Sequence, residues 1–105
     1  MDLFSHRGTD LLVRAFLSLE TEEECRALLE DLLTTREVLD LSQRLLVARL
    51  LDRQMVYSEI VRETGASSAT ISRVNRCYTY GAGGYTTILP RIAEAGDSEA
   101  EEPTP

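Results

Sequence analysis

Apolar residues recur along most of the chain at the spacing of one face of an α-helix. We expect a first helix over Asp10 to Leu19, preceded by a frayed terminus over residues 1–8. Thr21, followed three residues later by Glu24, has the form of a capping box that opens a second helix. In that helix the positions i, i+3, i+4, i+7 and i+8 form a continuous apolar stripe of Cys25, Leu28, Leu29, Leu32 and Leu33.

The longest predicted helix, Arg36 to about Arg53, has more apolar surface than one helix face can hold. It follows a second capping box at Thr34 and Glu37. Its apolar residues are Val38, Leu39, Leu41, Leu45, Leu46, Val47, Leu50 and Leu51. We expect this helix to be buried on several sides. It is either the central helix of a monomeric bundle or, as we favour for so short a chain, it packs against a partner in a homodimer.

Two short amphipathic segments follow, Tyr57 to Thr64 and Ser67 to Arg76, and their spacing is that of a helix-turn-helix. Gly65 is expected to end the first helix, because glycine adopts a positive φ without a Cβ clash. Ser67 is well placed as the N-cap of the second helix. Helices joined by so tight a turn must cross steeply, which leaves the second helix protruding. A protruding helix of this size fits the major groove of DNA.

The outer side of the second segment suits contact with double-stranded DNA. With Ile71 and Val74 facing inward, the outer positions hold short hydroxyls, an amide and two arginines, namely Ser68, Ser72, Arg73, Asn75 and Arg76. No acidic residue occurs from Thr64 to Arg76. The alternative is an ordinary helical hairpin with a polar surface. The agreement of glycine, cap, apolar spacing and acid-free helix favours DNA binding.

The segment from Cys77 to Tyr85 is rich in glycine and predicts a connector. A phosphate-binding loop is the alternative, but the segment lacks the GxxxxGK[ST] pattern and follows no predicted strand. A last short helix is expected over Tyr85 to Ala93, with Pro90 limiting its length. Residues 94–105 are acidic and contain proline, which predicts a disordered tail.

Composition supports a single all-α domain. Of the 105 residues 43% are hydrophobic but only 6% are aromatic, so leucine and valine must supply the core. The net charge of −7 is unevenly spread. Residues 1–35 have three arginines against eight acidic residues, residues 36–76 seven against five, and residues 77–105 one against five. The basic part coincides with the predicted DNA-binding unit, and its small excess predicts modest, strongly salt-dependent affinity.

The sequence shows no sign of enzyme or metal chemistry. Cys25, Cys77 and His6 match no metal-ligand spacing, and no nucleophile–base set or nucleotide fingerprint occurs. We therefore expect no catalysis, no cofactor and no metal. We find neither a secretion signal nor an apolar run of ~18 residues. We expect a soluble bacterial protein of the cytoplasm, without a membrane partner and associated with the nucleoid when bound to DNA.

A resemblance to the tryptophan repressor family covers about residues 9–93. It rests mainly on residues 33–78, LTTREVLDLSQRLLVARLLDRQMVYSEIVRETGASSATISRVNRCY, in which GASSATISRV is the most specific part. The following YGAGGYTTILPRI resembles the tail of the YerC/YecD-like branch of that family. The resemblance implies an intertwined all-helical homodimer. Its N-terminal and central helices interlock, and each helix-turn-helix, residues 57–76, protrudes as a DNA-reading head.

The resemblance also implies which residues contact DNA. Ser58 matches a DNA-contacting position that is an arginine in the tryptophan repressor itself, so the operator sequence should differ. Ser68, Ala69, Thr70 and Ser72 match contacts of the recognition helix. Together with the pattern described above, the predicted DNA-binding set is Tyr57, Ser58, Ser67, Ser68, Ala69, Thr70, Ser72, Arg73 and Arg76.

The corepressor site of the family is matched only in part. Members that bind tryptophan hold the indole between two arginines. Arg73 matches one of them, whereas Gln43 stands at the other position and Val74 replaces a glycine beside the ligand. The absence of one cation–π partner costs on the order of 1–2 kcal/mol, and the branched side chain adds a steric penalty. We predict no appreciable binding of L-tryptophan, and keep Arg73 and Gln43 as candidate contacts for an unknown small-molecule effector.

The leading hypothesis is a sequence-specific, DNA-binding transcriptional regulator, in its simplest form a repressor, that acts as a homodimer. The alternative is a protein-interaction module that docks the transcription machinery. Residues 35–67 also resemble the DNA-binding end of sigma factors, and the acidic surface outside residues 36–76 is compatible with such a role. Binding of DNA by the isolated dimer at low salt separates the two hypotheses.

Overall fold

The computed structural model describes the backbone of residues 3–100 and the side chains of residues 3–92, and this part of the chain is helical without a strand. It comprises a 3₁₀ turn, Leu3–Ser5, followed by α1 (Arg7–Leu17), α2 (Glu22–Leu32), α3 (Thr35–Asp52), α4 (Tyr57–Thr64), α5 (Ser68–Tyr80) and α6 (Gly84–Ala100). The all-α prediction is confirmed. The chain forms two compact units that divide within α3, between Val38 and Leu39.

Both predicted capping boxes are present in the N-terminal unit. At the start of α2 the Thr21 hydroxyl accepts the Glu24 N–H at 3.0 Å, and the Glu24 carboxylate accepts the Glu20 N–H at 2.9 Å. At the start of α3 the exchange between Thr34 and Glu37 is reciprocal, at 3.1 and 2.8 Å. These contacts satisfy N–H groups that have no partner within a helix, so local sequence determines where both helices begin.

The described residues of the N-terminal unit include none that is buried. The apolar side chains Leu12 and Phe16 of α1 are 41% and 40% exposed. In α2, Leu28 and Leu29 are only half-buried. Helices of 11 residues are marginal in water without packing, so α1 and α2 need a further apolar surface to cover them.

The second unit has a core to which α3, α4, α5 and α6 contribute. Ile60, Ile71 and Val74, which were predicted to face inward, are 0%, 0% and 3% exposed. The buried set is completed by Val47, Ala48, Leu50, Ala66 and Leu89, with Leu51, Met55, Tyr78, Tyr85 and Ile92 packed around it. This core fastens α4 and α5 to the C-terminal half of α3.

Helix α3 is not buried on several sides within the single chain. Only Val47, Ala48 and Leu50, all in its C-terminal half, are buried. Four of its leucines, Leu39, Leu41, Leu45 and Leu46, are between 41% and 57% exposed. The central helix of a monomeric bundle would not leave this surface open, so the excess apolar surface recognised in the sequence is present and uncovered.

The segment of residues 1–8, predicted to be frayed, has secondary structure within its described part. Leu3–Ser5 forms a 3₁₀ turn and α1 begins at Arg7, whereas residues 1 and 2 lie outside the described residues. The Thr9 hydroxyl donates to the carbonyl oxygens of Leu3 at 2.6 Å and of His6 at 2.8 Å. Such local hydrogen bonds leave no trace in an apolar periodicity, which is why the helix start was predicted too late.

Helix α5 continues past its predicted end at Arg76 and stops at Tyr80. No helix-breaking residue occurs before Gly81, and the ring of Tyr78 packs against the core. The Gly81 N–H donates to the Cys77 carbonyl oxygen at 2.9 Å, which closes the last turn. The connector is therefore shorter than predicted and spans residues 81–83.

Helix α6 was also predicted too short. It runs from Gly84 to Ala100 with Pro90 inside it, rather than from Tyr85 to Ala93. Leu89, beside the proline, is only 2% exposed, and its packing holds the helix where proline removes a backbone hydrogen bond. Residues 94–100 of the predicted disordered tail thus have a helical backbone, and residues 101–105 lie outside the described residues.

Candidate nucleic-acid interface

The turn between α4 and α5 is fixed by the residues that the sequence singled out. Gly65 has a φ of 72°, in the left-handed region, and its N–H donates to the Val61 carbonyl oxygen at 2.9 Å. The Thr64 hydroxyl donates to the Ile60 carbonyl oxygen at 2.7 Å and accepts the Ala66 N–H at 3.1 Å. Ala66 itself is buried. These contacts fix the backbone of the three residues, 65–67, that join α4 to α5.

Ser67 is the N-cap of α5, as predicted. Its hydroxyl oxygen accepts the Thr70 N–H at 3.1 Å, and the hydroxyl donates to Thr70 Oγ1 at 3.1 Å. The α5 first turn contains no acidic residue. Ser67 and Thr70, both in the predicted DNA-binding set, are thus engaged with each other in starting the helix.

Helix α5 packs against the core through its apolar side and makes one side-chain hydrogen bond to α3. Ile71 and Val74 are buried in the core. Near the C-terminal end of α5, the Tyr78 hydroxyl donates to Asp52 Oδ1 at 2.6 Å. This hydrogen bond to the carboxylate, with smaller contributions from burial and from the negative charge, raises the pKa of Tyr78 above 10.0.

The opposite side of α5 is exposed and contains most of the predicted DNA-contacting residues. Ala69, Ser72, Arg73 and Arg76 are exposed and follow the spacing i, i+3, i+4, i+7 of one helix face. We call these four residues the outer stripe. Ser68 is exposed beside them. Within the described residues neither Arg73 nor Arg76 forms an ion pair.

The remaining predicted contacts, Tyr57 and Ser58, lie in the first turn of α4 and are both exposed. The N-cap of this helix is Val56, whose side chain makes no capping hydrogen bond. Glu59 of the same turn is ion-paired with Arg62. The first turn of α4 therefore leaves backbone N–H groups without a side-chain cap, beside a carboxylate that is neutralised.

A cavity of about 380 Å³ opens between α3 and α5 and includes both residues proposed for effector binding. Its lining is Asp40, Gln43, Arg44, Thr70, Arg73, Val74, Cys77 and Tyr85. Sequence reasoning identified Gln43, Arg73 and Val74 but missed Asp40 and Arg44 as site residues. Helical spacing could have found them, because Asp40, Gln43 and Arg44 share a face of α3 in the way that the α5 residues do.

Gln43 has a structural partner in this cavity. Its Nε2 donates to the Thr64 carbonyl oxygen at 3.3 Å, across to the C-terminal end of α4. The side chain thus helps to hold the turn that precedes α5. Val74 is only 3% exposed, so its branched side chain cannot move aside without disturbing the core.

The described residues contain no metal site and no membrane span. In the part of the chain with described side chains, no group of three or more His, Cys, Asp or Glu residues could hold a metal ion. Cys25 and Cys77 are both free thiols. None of the helices that the structure describes is long and apolar enough to cross a membrane.

Comparison with known proteins gives a consistent result. A sequence profile of the Trp repressor protein family matches residues 7–93. YerC, an uncharacterized protein of Bacillus subtilis strain 168, is 45% identical over 94 residues, which are 90% of this chain and 90% of YerC. The crystal structure of a TrpR-like protein from Eubacterium eligens ATCC 27750 has a TM-score of 0.81 and 42% identity, over 85% of this chain and 92% of that one. That of a proposed Trp repressor from Staphylococcus aureus has a TM-score of 0.80 and 41% identity, over 88% and 95%.

These matches confirm the resemblance that was inferred from residues 33–78 and show a TrpR-like fold. The family consists of DNA-binding regulators rather than enzymes. With a family match from residue 7 to residue 93, this chain belongs to the Trp repressor protein family.

Proposed function

We propose that this protein is a sequence-specific, DNA-binding transcriptional regulator that acts as a homodimer in the bacterial cytoplasm, with α4 and α5 as a helix-turn-helix. Repression is the simplest outcome, because a dimer seated on an operator blocks access to it. The observation that supports this most is the outer stripe of α5. It is exposed and free of acidic residues, and its two arginines form no ion pair within the described residues, while the other side of the helix is packed in the core.

The order of residues along the outer stripe suits a helix that enters the major groove by its N-terminal end. Ser68 and Ala69 come first and are small, so the backbone can approach the base edges closely. Arg73 and Arg76 come one and two turns later, where their long side chains would reach phosphates on the groove wall. Ser58, at the start of α4, cannot make a bidentate guanine contact, which predicts an operator unlike one read by arginine at that position.

The uncovered apolar surfaces support a homodimer. The described residues of the N-terminal unit include no buried one, and four leucines of α3 remain exposed in the single chain. Full burial of one leucine side chain contributes about 1.5–3 kcal/mol, so a second copy that covers these residues would add substantially to stability. Two copies related by a two-fold axis would also present two recognition helices to a symmetric operator.

We further propose that the regulator does not respond to L-tryptophan. Gln43 supplies no cation for an indole face and is hydrogen-bonded to Thr64, and Val74 fills space beside Arg73. Isothermal titration of the purified protein with L-tryptophan should show no binding in the micromolar range. Micromolar affinity in that titration would refute this part of the proposal.

Selection from a random DNA library with the purified full-length protein tests the proposed function most directly. We expect a two-fold symmetric consensus whose half-sites lie about one helical turn, roughly 34 Å, apart. The recovered DNA should bind with strong salt dependence. Failure to retain any DNA at low salt would refute the proposal and favour a module that docks the transcription machinery through the same helices.

A further inference from the structure

The turn that joins α3 to α4 contains a strained residue. Gln54 has a φ of 65°, and within the described residues it is the only residue other than glycine with a positive φ. The turn is a Schellman motif, in which the Gln54 N–H donates to the Leu51 carbonyl oxygen at 2.9 Å and the Met55 N–H donates to the Leu50 carbonyl oxygen at 3.0 Å. Glycine is the usual residue at this left-handed position, because a Cβ there comes too close to the backbone carbonyl oxygen.

The side chain of Gln54 adds nothing to the fold that would offset this strain. It is exposed, and within the described residues it forms no hydrogen bond. The turn is held instead by its backbone hydrogen bonds and by Met55, whose side chain packs against the core. A glycine would adopt the same φ at a lower cost. Since residues strained in this way cluster at functional sites, the exposed amide of Gln54 indicates contact with a partner.

Gln54 lies close to the predicted DNA contacts of α4. Tyr57 follows it by three residues, which places their Cα atoms within about 11 Å of each other. Tyr57 and Ser58 are both exposed in the first turn of α4. The turn before them has no net charge, since Asp52 is followed by Arg53 and Gln54 is neutral. An anionic partner is therefore not repelled from this part of the surface.

The partner group that fits Gln54 is a phosphate of the DNA backbone rather than a base edge. One helix fills the major groove, and in the proposed helix-turn-helix that helix is α5. The first helix of such a unit, here α4, crosses the DNA backbone, so the turn that precedes it lies near phosphates. The Gln54 amide has two N–H donors for a phosphate oxygen. Contacts of this kind add affinity and fix the position of the protein without reading sequence.

We propose that the side-chain amide of Gln54 donates a hydrogen bond to a DNA phosphate, and that the left-handed conformation persists at a residue other than glycine because of this contact. The inference rests on the DNA-binding function proposed above and adds a residue that the predicted DNA-binding set does not contain. Because the amide is neutral, the contact releases no counterion and strengthens binding without steepening its salt dependence. Arg73 and Arg76 differ from it in this respect.

Two substitutions in the full chain separate the strain from the contact. Gln54→Gly removes both, so it should raise the Tm by roughly 2–5 °C and yet weaken DNA binding. Gln54→Ala removes the amide alone, so it should weaken binding without raising the Tm. We expect each variant to lose about three-fold or more in affinity, equally for selected and random-sequence DNA. The slope of log affinity against log salt, measured by fluorescence anisotropy, should stay as in the wild type.

An added charge at the same position gives the converse test. Gln54→Arg brings a guanidinium to the phosphate, so it should tighten DNA binding and steepen the salt dependence by about one unit for each phosphate contacted. Ala27→Arg adds the same charge at an exposed position of α2, outside the predicted DNA-binding set, and should change neither quantity. Equal changes in the two arginine variants would trace the effect to net charge and overturn the inference.

The contact and the DNA-binding function fail in distinguishable ways. If the wild type binds DNA and the glycine and alanine variants bind it as tightly, the contact is wrong and the DNA-binding function is unaffected. A glycine variant no more stable than the wild type would show that Gln54 is not strained and would remove the basis of the inference. A wild type that retains no DNA at low salt refutes the function and the contact together.

Discussion

The arginines of this protein differ in whether an acidic residue of the same helix pairs with them. Arg14, Arg26 and Arg62 each pair with an acidic residue three or four positions away on the same helix. Arg73 and Arg76 have no such acidic neighbour, since the sequence from Thr64 to Arg76 contains none. Their charge is therefore available to a phosphate, so this surface can attract DNA although the net charge of the protein is −7.

Replacement of these two arginines tests their role. Arg73→Ala and Arg76→Ala should each weaken DNA binding and reduce the slope of log affinity against log salt by about one unit for each phosphate that is no longer neutralised. Arg26→Ala removes the same charge from α2 and should change neither quantity. Mobility shifts over a range of salt concentrations measure both effects. Unchanged shifts in both α5 variants would remove the outer stripe from the DNA interface.

Ser67 has a structural role that can be separated from DNA contact. Ser67→Ala deletes the acceptor of the Thr70 N–H and should destabilise the protein by about 1 kcal/mol. Ser68→Ala, at the next exposed serine, removes no capping contact and should be close to neutral. Urea denaturation at one protein concentration compares the three proteins. Equal destabilisation by the two substitutions would show that the cap contributes nothing to stability.

Among the elements, those with local signals could be predicted and those that depend on contacts could not. The sequence correctly placed the capping residues Thr21, Thr34 and Ser67 and the left-handed Gly65. Each of them acts on the backbone within a few residues, by accepting an N–H at a helix start or by ending a helix with a positive φ. The predicted C-terminal ends of α5 and α6 were wrong. The packing of Tyr78 against the core accompanies the extension of α5 up to Gly81, and the burial of Leu89 holds α6 together across Pro90; such contacts are not visible in local sequence.

The contact between α5 and α3 gives a prediction at the scale of elements. Tyr78→Phe removes the hydrogen bond to Asp52 and should cost about 1 kcal/mol at neutral pH. The pKa of Tyr78 is raised in the folded state, so its contribution is complete below the unfolded pKa of about 10 and disappears as the pH rises through the higher folded value. The gap in unfolding free energy between wild type and variant should therefore close at alkaline pH. A gap that stays constant to about pH 11 or beyond would show that the phenol proton does not matter.

At the scale of the whole molecule, charge and apolar surface are distributed between different parts of the sequence. Among the described residues, the acidic N-terminal stretch contains helices without a buried residue, whereas the segment with most arginines contains most of the core and the outer stripe. Sequence pattern revealed the excess apolar surface of α3, because more leucines occur there than one face can hold. Helical spacing can group Asp40, Gln43 and Arg44 on one face of α3, but the pattern alone could not place Arg73 of α5 beside them, because the packing of these two helices depends on residues far apart in the chain.

A charge placed on the exposed leucines tests whether a second copy covers them. Leu41 and Leu45 are 46% and 41% exposed in the single chain, so Leu41→Glu and Leu45→Glu should leave the core of the second unit intact. In a homodimer the same changes would bury an unpaired carboxylate, which costs several kcal/mol. We expect monomers by size-exclusion chromatography with light scattering, together with loss of DNA binding. Ala27→Glu adds the same charge opposite the apolar stripe of α2 and should remain dimeric. A wild type that is monomeric at all concentrations, or leucine variants that stay dimeric, would show that the exposed leucines of α3 do not form a dimer interface.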